Sequence, residues 1–200
     1  MTHIKQEQIT AVILAGGQGS RMGGLDKGLI EWQGRPLIEH LLAALLPAHL
    51  GAILINANRN QTIYQRYGFP VVSDQIPDYQ GPLAGLATAM QAVKTPYILT
   101  LPGDSFYLAP DFVARMLRAL NTSQSDLVLA HDGEQLQPSY ALVPVSLLPN
   151  LGAFLASGGR KLRAWYEQQS MATVDCSDIA IMFQNINTPA HYQALQEGRL

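Results

Sequence analysis

The sequence has few charged residues and only one cysteine, and both shortages limit what the protein can be. Charged residues make up 14% of the 200 residues, against about a quarter in an average soluble chain. The 48% of hydrophobic residues excludes a wholly disordered chain, because disorder requires few apolar residues and a high net charge. Cys176 has no partner for an internal disulfide, and no His/Cys cluster has the spacing of a zinc site. These features are compatible with a reducing compartment.

The sequence also lacks an excess of either charge, a signal peptide and a membrane span. Thirteen basic and fifteen acidic residues give a formal net charge of −2, so nothing favours a nucleic acid or an anionic membrane as partner. The first ten residues contain no apolar signal-peptide core. The longest apolar stretch, 41–55, is interrupted by Pro47, His49 and Gly51 and is too short to cross a bilayer. We expect a soluble, cytoplasmic protein.

What the sequence does contain is a regular alternation of strand-length apolar runs and helix-length segments. The apolar runs are nearly continuous, which is typical of strands covered by helices on both faces. Residues 37–46 show apolar pairs every four residues, between Pro36 and Pro47, and therefore predict a helix. The predicted strands are 9–15, 52–56, 70–73, 97–101, 127–130 and 139–143, and the predicted helices are 36–46, 61–67, 82–93 and 110–120. This alternation predicts a layered α/β fold with a mostly parallel sheet, in a single domain spanning 1–200.

The segment after the first predicted strand is a candidate phosphate-binding loop. Six glycines occur within residues 16–28, and glycines let backbone N–H groups approach an anion closely. Arg21 and Lys27 add two cations, which suits a polyphosphate better than a surface turn with incidental charges. Because ligands bind at the carboxyl ends of parallel strands, this loop and the loops after the next three strands should form one site.

Two familiar phosphate-binding motifs do not fit this loop. A Walker A motif needs serine or threonine after its lysine, whereas glycine follows Lys27. A dinucleotide fingerprint that starts at Gly17 needs a glycine where Met22 stands. That fingerprint also needs an acidic residue at the end of the second strand, where Asn56 stands. The loop therefore belongs to neither class.

An aspartate follows the buried strand predicted at 97–101. Asp104 lies where the carboxyl end of that strand should face a ligand, and Mg²⁺ prefers carboxylate oxygens. An N-cap role is the structural alternative, but Pro110 places the start of the next helix several residues later. We therefore predict that Asp104 is a magnesium ligand.

Asn56 and Asp74 end the second and third predicted strands, where either turn chemistry or nucleotide contacts could explain them.

Taken together, these segments resemble one known family. The loop residues that carry the resemblance are Leu14-Ala15-Gly16-Gly17, Arg21-Met22-Gly23-Gly24 and Asp26-Lys27-Gly28. Further matches follow in order along the chain, at Asn56-Ala57-Asn58-Arg59, Asp74, 81–85, Asp104, 131–134 and 185–189. They are similar to motifs of the molybdenum cofactor guanylyltransferases, the MobA family of nucleotidyltransferases. The resemblance covers about residues 9 to 189 and implies a Rossmann-like, three-layer nucleotidyltransferase fold with a mostly parallel central sheet.

The resemblance also implies a reaction and a set of site residues. The reaction is transfer of GMP from GTP to the terminal phosphate of molybdopterin (Mo-molybdopterin), with release of pyrophosphate. The implied catalytic residues are Arg21, Lys27 and Asp104, with Asp104 holding Mg²⁺. The implied nucleotide-binding residues are Leu14, Ala15, Gly16, Lys27, Asn56, Asp74 and Asp104. Around Asp104 the sequence departs from the family pattern, because Gly103 replaces a cysteine and Ser105-Phe106 replaces the following pair.

Four smaller features have mainly structural interpretations. Asp132-Gly133 predicts a hairpin turn that leads into strand 139–143. Residues 158–161 form a basic glycine turn that we interpret as a solvated helix start, with contact to an acceptor phosphate as the alternative. Asn187 is predicted in a late strand, and the resemblance suggests that it approaches the second substrate. Cys176 is predicted to be a buried apolar residue and not a nucleophile.

Alternative functions remain open on the sequence alone. A cytidylyltransferase or a sugar-phosphate nucleotidyltransferase would share the fold, and so would a non-catalytic nucleotide-binding module. The Leu14-Ala15-Gly16-Gly17 opening favours guanine over cytosine, because cytidylyl relatives tend towards Ala-Ala-Gly there. The expected partners are GTP and molybdopterin, with transient contacts to proteins of cofactor biosynthesis or molybdoenzyme maturation, and with no nucleic acid and no membrane.

Overall fold

A seven-stranded sheet organises the part of the chain that the computed structural model describes, which is residues 3–17, 24–75, 81–184 and 192. In chain order the strands are β1 (Ile9–Leu14), β2 (Glu31–Trp32), β3 (Arg35–Pro36), β4 (Ala52–Asn56), β5 (Val71–Val72), β6 (Tyr97–Pro102), β7 (Leu127–His131), β8 (Leu136–Pro144) and β9 (Met171–Asp175). The sheet order is β5-β4-β1-β6-β8-β7-β9, and β2 and β3 form a separate short hairpin.

Most of the pairing in the large sheet is parallel. The strand β1 pairs in parallel with both β4 and β6, β4 pairs in parallel with β5, and β7 pairs in parallel with β9. The strand β8 lies antiparallel between β6 and β7. The predicted mostly parallel sheet is therefore confirmed, with β8 as the one antiparallel strand among the seven described strands of this sheet.

Helices cover both faces of the sheet and complete three layers. They are α1 (Leu37–Leu45), α2 (Gln61–Gln65), α3 (Pro82–Ala92), α4 (Phe112–Thr122), α5 (Leu148–Ala156) and α6 (Leu162–Tyr166). Along β1, Ile9, Ala11 and Ile13 pack with α1, α2 and α4 on one face. Val12 packs with α3, α5 and α6 on the other face. Within the described residues, no helix is long and apolar enough to cross a membrane.

All six predicted strands and all four predicted helices that fall on described residues are present, with ends shifted by at most a few residues. The sequence patterns did not predict β2, β3, β9 or α5, and they predicted only the start of α6, at 158–161. Helix α6 has only five residues, too few to show a helical period, and Pro149 and Gly152 interrupt the helical pattern of α5. The late strand predicted at Asn187 lies outside the described residues.

The predicted turn between β7 and β8 is confirmed. Gly133 has a φ of 100°, a left-handed conformation that glycine adopts without steric cost. Asp132 Oδ1 accepts hydrogen bonds from the backbone N–H groups of Glu134 and Gln135 at 2.8 and 2.7 Å. The hairpin therefore rests on local turn chemistry, as expected for this dipeptide.

Candidate active site

The loops after β1, β4, β5 and β6 meet at one edge of the sheet, because β1 lies between β4 and β6. The N–H of Ala15 donates to Asn56 O at 2.8 Å, and the N–H of Gly103 donates to Leu14 O at 2.9 Å. A Cβ at residue 103 would lie 3.0 Å from Ala15 Cα, so glycine there lets the β6 loop pass close to the β1 loop. The predicted Leu14, Ala15 and Asn56 are thus neighbours in space.

Lys27 and Asp104 form an ion pair at this edge. Lys27 Nζ lies 3.0 Å from Asp104 Oδ2, and the two side chains are 24% and 15% exposed. Lys27 starts a short 3₁₀ turn, whereas Asp104 follows β6, and the N-cap position of α4 is occupied by Asp111. Asp104 therefore does not cap that helix. The pair joins a cation and a carboxylate that are both accessible to a ligand.

The carboxylate of Asp74 is held by two asparagine side chains. Asn56 Nδ2 donates to Asp74 Oδ1 at 2.9 Å, and Asn58 Nδ2 donates to Asp74 Oδ2 at 2.8 Å. The backbone N–H of Asp74 donates in return to Asn58 Oδ1 at 2.8 Å. Because a carboxylate has about four acceptor sites, Asp74 is oriented by these amides and still has capacity for further donors.

Helix α3 approaches this carboxylate closely at Gly85. A Cβ at residue 85 would overlap Asn56 Oδ1 and would lie 3.3 Å from Asp74 Oδ1. The absence of a side chain at Gly85 is thus a requirement of the site. Residues 81–85 were named above only as a match to the family, and the close packing explains the glycine at position 85.

A buried tyrosine anchors the residue that precedes Lys27. Tyr64 Oη donates to Asp26 Oδ1 at 2.7 Å, and Asn60 Nδ2 donates to Asp26 Oδ2 at 3.1 Å. Burial and the negative charge of Asp26 raise the pKa of Tyr64, so the phenol stays protonated and remains a donor. A Cβ at Gly28 would lie 2.6 Å from Tyr64 Oη, so the glycine after Lys27 lets the backbone pack against this ring.

Two buried hydroxyl groups, those of Tyr140 and Ser105, are hydrogen-bonded to each other, and Ser105 follows Asp104 in the chain. Tyr140 Oη is 3.0 Å from Ser105 Oγ and 2.9 Å from the carbonyl oxygen of Met182. Ser105 Oγ also donates to Tyr107 O at 3.1 Å. Burial raises the pKa of Tyr140. These contacts show the path of the loop after Asp104, where the sequence departs from the family pattern.

The remaining predicted residues have varied outcomes. Arg21, Asn185 and Asn187 lie outside the described residues. Cys176 is buried, and burial raises the pKa of its thiol to about 11, as expected for an unreactive residue. Lys161 precedes α6 and is exposed, which confirms the predicted helix start.

The sequence analysis did not assign a role to several residues that the structure places in the site. They are Asp26, Asn58, Arg59, Asn60 and Tyr64. Asn58 and Arg59 belong to a run that the sequence analysis had named only for its resemblance. The nearest signal was their position directly after a strand that ends at the ligand-binding edge.

Comparisons with known proteins agree with this fold. Residues 11–174 match the family model of the MobA-like NTP transferase domain. The molybdenum cofactor guanylyltransferase of Shewanella halifaxensis is 46% identical over 191 residues, which are 96% of this chain and 95% of that protein. The enzyme of the same name from Vibrio cholerae is 47% identical over 178 residues, covering 89% of this chain and 86% of that protein.

A solved structure shares the whole architecture. The crystal structure of molybdopterin-guanine dinucleotide biosynthesis protein A from Archaeoglobus fulgidus superimposes with a TM-score of 0.78 at 20% identity, covering 94% of this chain and 97% of that one. Fold and sequence relatives together define a nucleotidyltransferase with a Rossmann-like α/β fold. More narrowly, the chain belongs to the MobA-like NTP transferase family, because the family model and the relatives cover most of its length.

Proposed function

We propose that this chain transfers GMP from GTP to the terminal phosphate of molybdopterin (Mo-molybdopterin), forming the guanine dinucleotide form of the molybdenum cofactor and releasing pyrophosphate. The observation that carries the proposal is the Lys27–Asp104 pair beside the glycine-rich loop. It occurs in a chain 46% identical to a protein named molybdenum cofactor guanylyltransferase. A cation and a carboxylate at one sheet edge are what a nucleoside triphosphate and its metal require.

The reaction needs no nucleophile from the protein. A phosphate monoester is already ionised near neutral pH, so an oxygen of molybdopterin phosphate attacks the α-phosphorus of GTP directly. The new P–O bond forms in line with the bond to the β-phosphate, which breaks, and pyrophosphate leaves with that electron pair. The task of the protein is therefore to position two anions and to offset their charge.

In our proposal this positioning and charge neutralisation is shared by Lys27, Arg21 and Asp104. When GTP binds, Lys27 exchanges its contact with Asp104 for the α-phosphate, and backbone groups of Leu14, Ala15 and Gly16 contact the nucleotide. Arg21 offsets charge on the polyphosphate. Each of these cations stabilises the charge that builds up on the phosphates in the transition state.

Asp104 fits the role of a magnesium ligand. Mg²⁺ is usually held by one or two carboxylates together with substrate phosphates and water, and the Oδ1 atom of Asp104 is not the one paired with Lys27. In the described residues no three His, Cys, Asp or Glu side chains converge into a metal cage. When bound, Mg²⁺ would neutralise negative charge on the phosphates.

Asp74 supplies the preference for guanine in this proposal. Its remaining acceptor sites suit the N1–H and exocyclic amino group of guanine, which are two adjacent donors. Cytosine presents one donor beside an acceptor, and that acceptor would face the carboxylate unfavourably. The amides of Asn56 and Asn58 support the preference, because they hold both oxygens of Asp74 in place.

The test is pyrophosphate release by the purified protein with GTP, Mg²⁺ and molybdopterin. We expect release that requires molybdopterin and that is much slower with CTP. Faster release with CTP would establish a cytidylyltransferase instead. Tight GTP binding without release under these conditions would establish a non-catalytic nucleotide-binding module.

The proposal includes three wider features of the protein. We propose that residues 1–200 form a single domain in the cytoplasm, that Mg²⁺ is the physiological metal, and that contacts with biosynthesis or maturation proteins are transient. The seven-stranded sheet, whose strands lie between Ile9 and Asp175, supports the first point.

A further inference from the structure

The guanidinium of Arg59 binds the glycine-rich loop at two places, at Gly17 and at Gly24-Leu25. Arg59 Nη1 donates to Gly24 O at 2.8 Å, and Nη2 donates to Gly17 O at 3.0 Å and to Leu25 O at 3.4 Å. Gly17 and Gly24 flank residues 18–23. One side chain from the loop after β4 therefore sets the separation between the start and the end of the phosphate-binding loop.

These contacts decide which way the peptide groups at the end of the loop point. In a planar trans peptide, the C=O and the following N–H point in opposite directions. Because Arg59 binds the carbonyl oxygens of Gly24 and Leu25, the N–H groups of Leu25 and Asp26 point away from the guanidinium. Anions bind to such N–H groups, whereas carbonyl oxygens that faced a phosphate would repel it.

The neighbours of Arg59 bind the same loop. Asn58 Nδ2 donates to Gly16 O at 3.3 Å, and Asn60 Nδ2 donates to Asp26 Oδ2 at 3.1 Å. Asn60 has a φ of 51°, a left-handed conformation that asparagine tolerates better than most residues. Three consecutive side chains, 58 to 60, therefore face the glycine-rich loop.

We propose that Arg59 is a positioning residue for the triphosphate of the substrate. It holds the carbonyl oxygens of Gly17, Gly24 and Leu25 away from the phosphates, so that the N–H groups of Leu25 and Asp26 can face them. The role needs a planar fork with several donors, which arginine has and lysine lacks. The inference rests on the proposed function for the identity of the nucleotide, but it concerns binding of phosphates of any nucleotide.

The experiment compares Arg59→Ala and Arg59→Lys with the control Arg66→Ala, which removes the same charge from an exposed position after α2. The affinities of pyrophosphate and of guanosine are measured separately, followed by the KM for GTP. For Arg59→Ala we expect pyrophosphate affinity and the KM for GTP to worsen about tenfold or more. Guanosine affinity should not change, because guanosine has no phosphate.

The lysine variant separates the effect of the hydrogen-bonding geometry of Arg59 from the effect of its positive charge. Arg59→Lys should recover only a small part of the loss, because the carbonyl oxygens of Gly24 and Gly17 are bound by two different nitrogens of the guanidinium, whereas an ammonium has only one nitrogen. Full recovery by lysine would overturn the inference, and so would an equal loss of guanosine affinity or an unchanged pyrophosphate affinity in Arg59→Ala. Since pyrophosphate binding involves neither base nor acceptor, failure of the proposed function leaves this comparison intact.

Discussion

Lys27 Nζ lies 3.0 Å from Asp104 Oδ2, so the two side chains that we expect to act on the phosphates neutralise each other in the nucleotide-free protein. The pair keeps both groups at the carboxyl edge of the sheet before substrate arrives. It also means that a substitution at either position leaves the other without its ionic partner. The two substitutions should therefore reduce activity in different ways.

Lys27→Ala should reduce the rate about a hundredfold, because it removes a preorganised cation near the reacting phosphorus, and added Mg²⁺ should not restore it. Asp104→Asn should also reduce activity, but raising Mg²⁺ or supplying Mn²⁺ should recover part of it. The measurement is pyrophosphate release across a metal titration.

Binding of GTP without metal gives an independent test of the same assignment. Lys27→Ala should weaken it, whereas Asp104→Asn should leave it equal or stronger because Lys27 is released from its partner. If metal rescues Lys27→Ala and not Asp104→Asn, the two roles have been exchanged.

Tyr64→Phe should reduce activity by loosening the segment that carries Lys27. The variant removes the 2.7 Å hydrogen bond to Asp26 and leaves the hydrogen bond from Asn60 to that carboxylate in place. Loss of a hydrogen bond to a charged group costs about 1.5–3 kcal/mol of stability, which thermal unfolding would detect. Tyr67→Phe is the control, since it removes a hydroxyl that interacts with Glu39 instead of Asp26. Equal activity in the two variants would contradict a positioning role for Tyr64.

Gly85→Ala should destabilise the protein and weaken nucleotide binding, because its Cβ would overlap Asn56 Oδ1 beside Asp74. Overpacking of this kind typically costs about 1–3 kcal/mol. Gly152→Ala is a matched control in α5, where a Cβ meets nothing within 4 Å. That control should stabilise the protein by up to about 1 kcal/mol through helix propensity. Denaturant unfolding with GTP titration measures both effects, and the same sign of change in both variants would refute the packing argument.

The contribution of the Arg115–Asp178 pair to stability should be complete above about pH 4, near the ordinary pKa of an aspartate, and should decline progressively as the pH falls below that value. Asp178 accepts two hydrogen bonds of 2.6 Å from the Arg115 guanidinium, which lower the pKa of that carboxyl. A carboxyl with a lowered folded pKa adds stability above its ordinary pKa and loses that contribution as pH falls through the folded value.

The corresponding variant is Asp178→Asn. It should lower the melting temperature at pH 7 slightly, because the pair is exposed, and should lower it less at pH 2.5. The exposed Asp126→Asn serves as control for loss of a carboxylate. A melting temperature for Asp178→Asn that is equally reduced at both pH values would show that the charge of the pair is not what stabilises the contact.

Local patterns in the sequence were sufficient for most of the fold. The apolar runs predicted β1, β4 and β6 almost to the residue, because a strand buried on both faces must be apolar along its length. Only the start of the short α6 was predicted, since five residues carry no period of their own and rarely form a helix alone. Its stability comes from tertiary packing, with Trp165 and Tyr166 fully buried.

For the site, the sequence alone determined which residues could carry chemistry, and the tertiary structure decided which of them meet. Lys27 was identifiable because it lies in the glycine-rich loop after β1. Asp104 was identifiable because it follows β6. Their ion pair joins residues 77 positions apart. The hydrogen bond from Arg59 to Gly17 in the glycine-rich loop likewise joins distant segments. Both contacts exist because β1 lies between β4 and β6, and strand order depends on long-range packing that no local periodicity encodes.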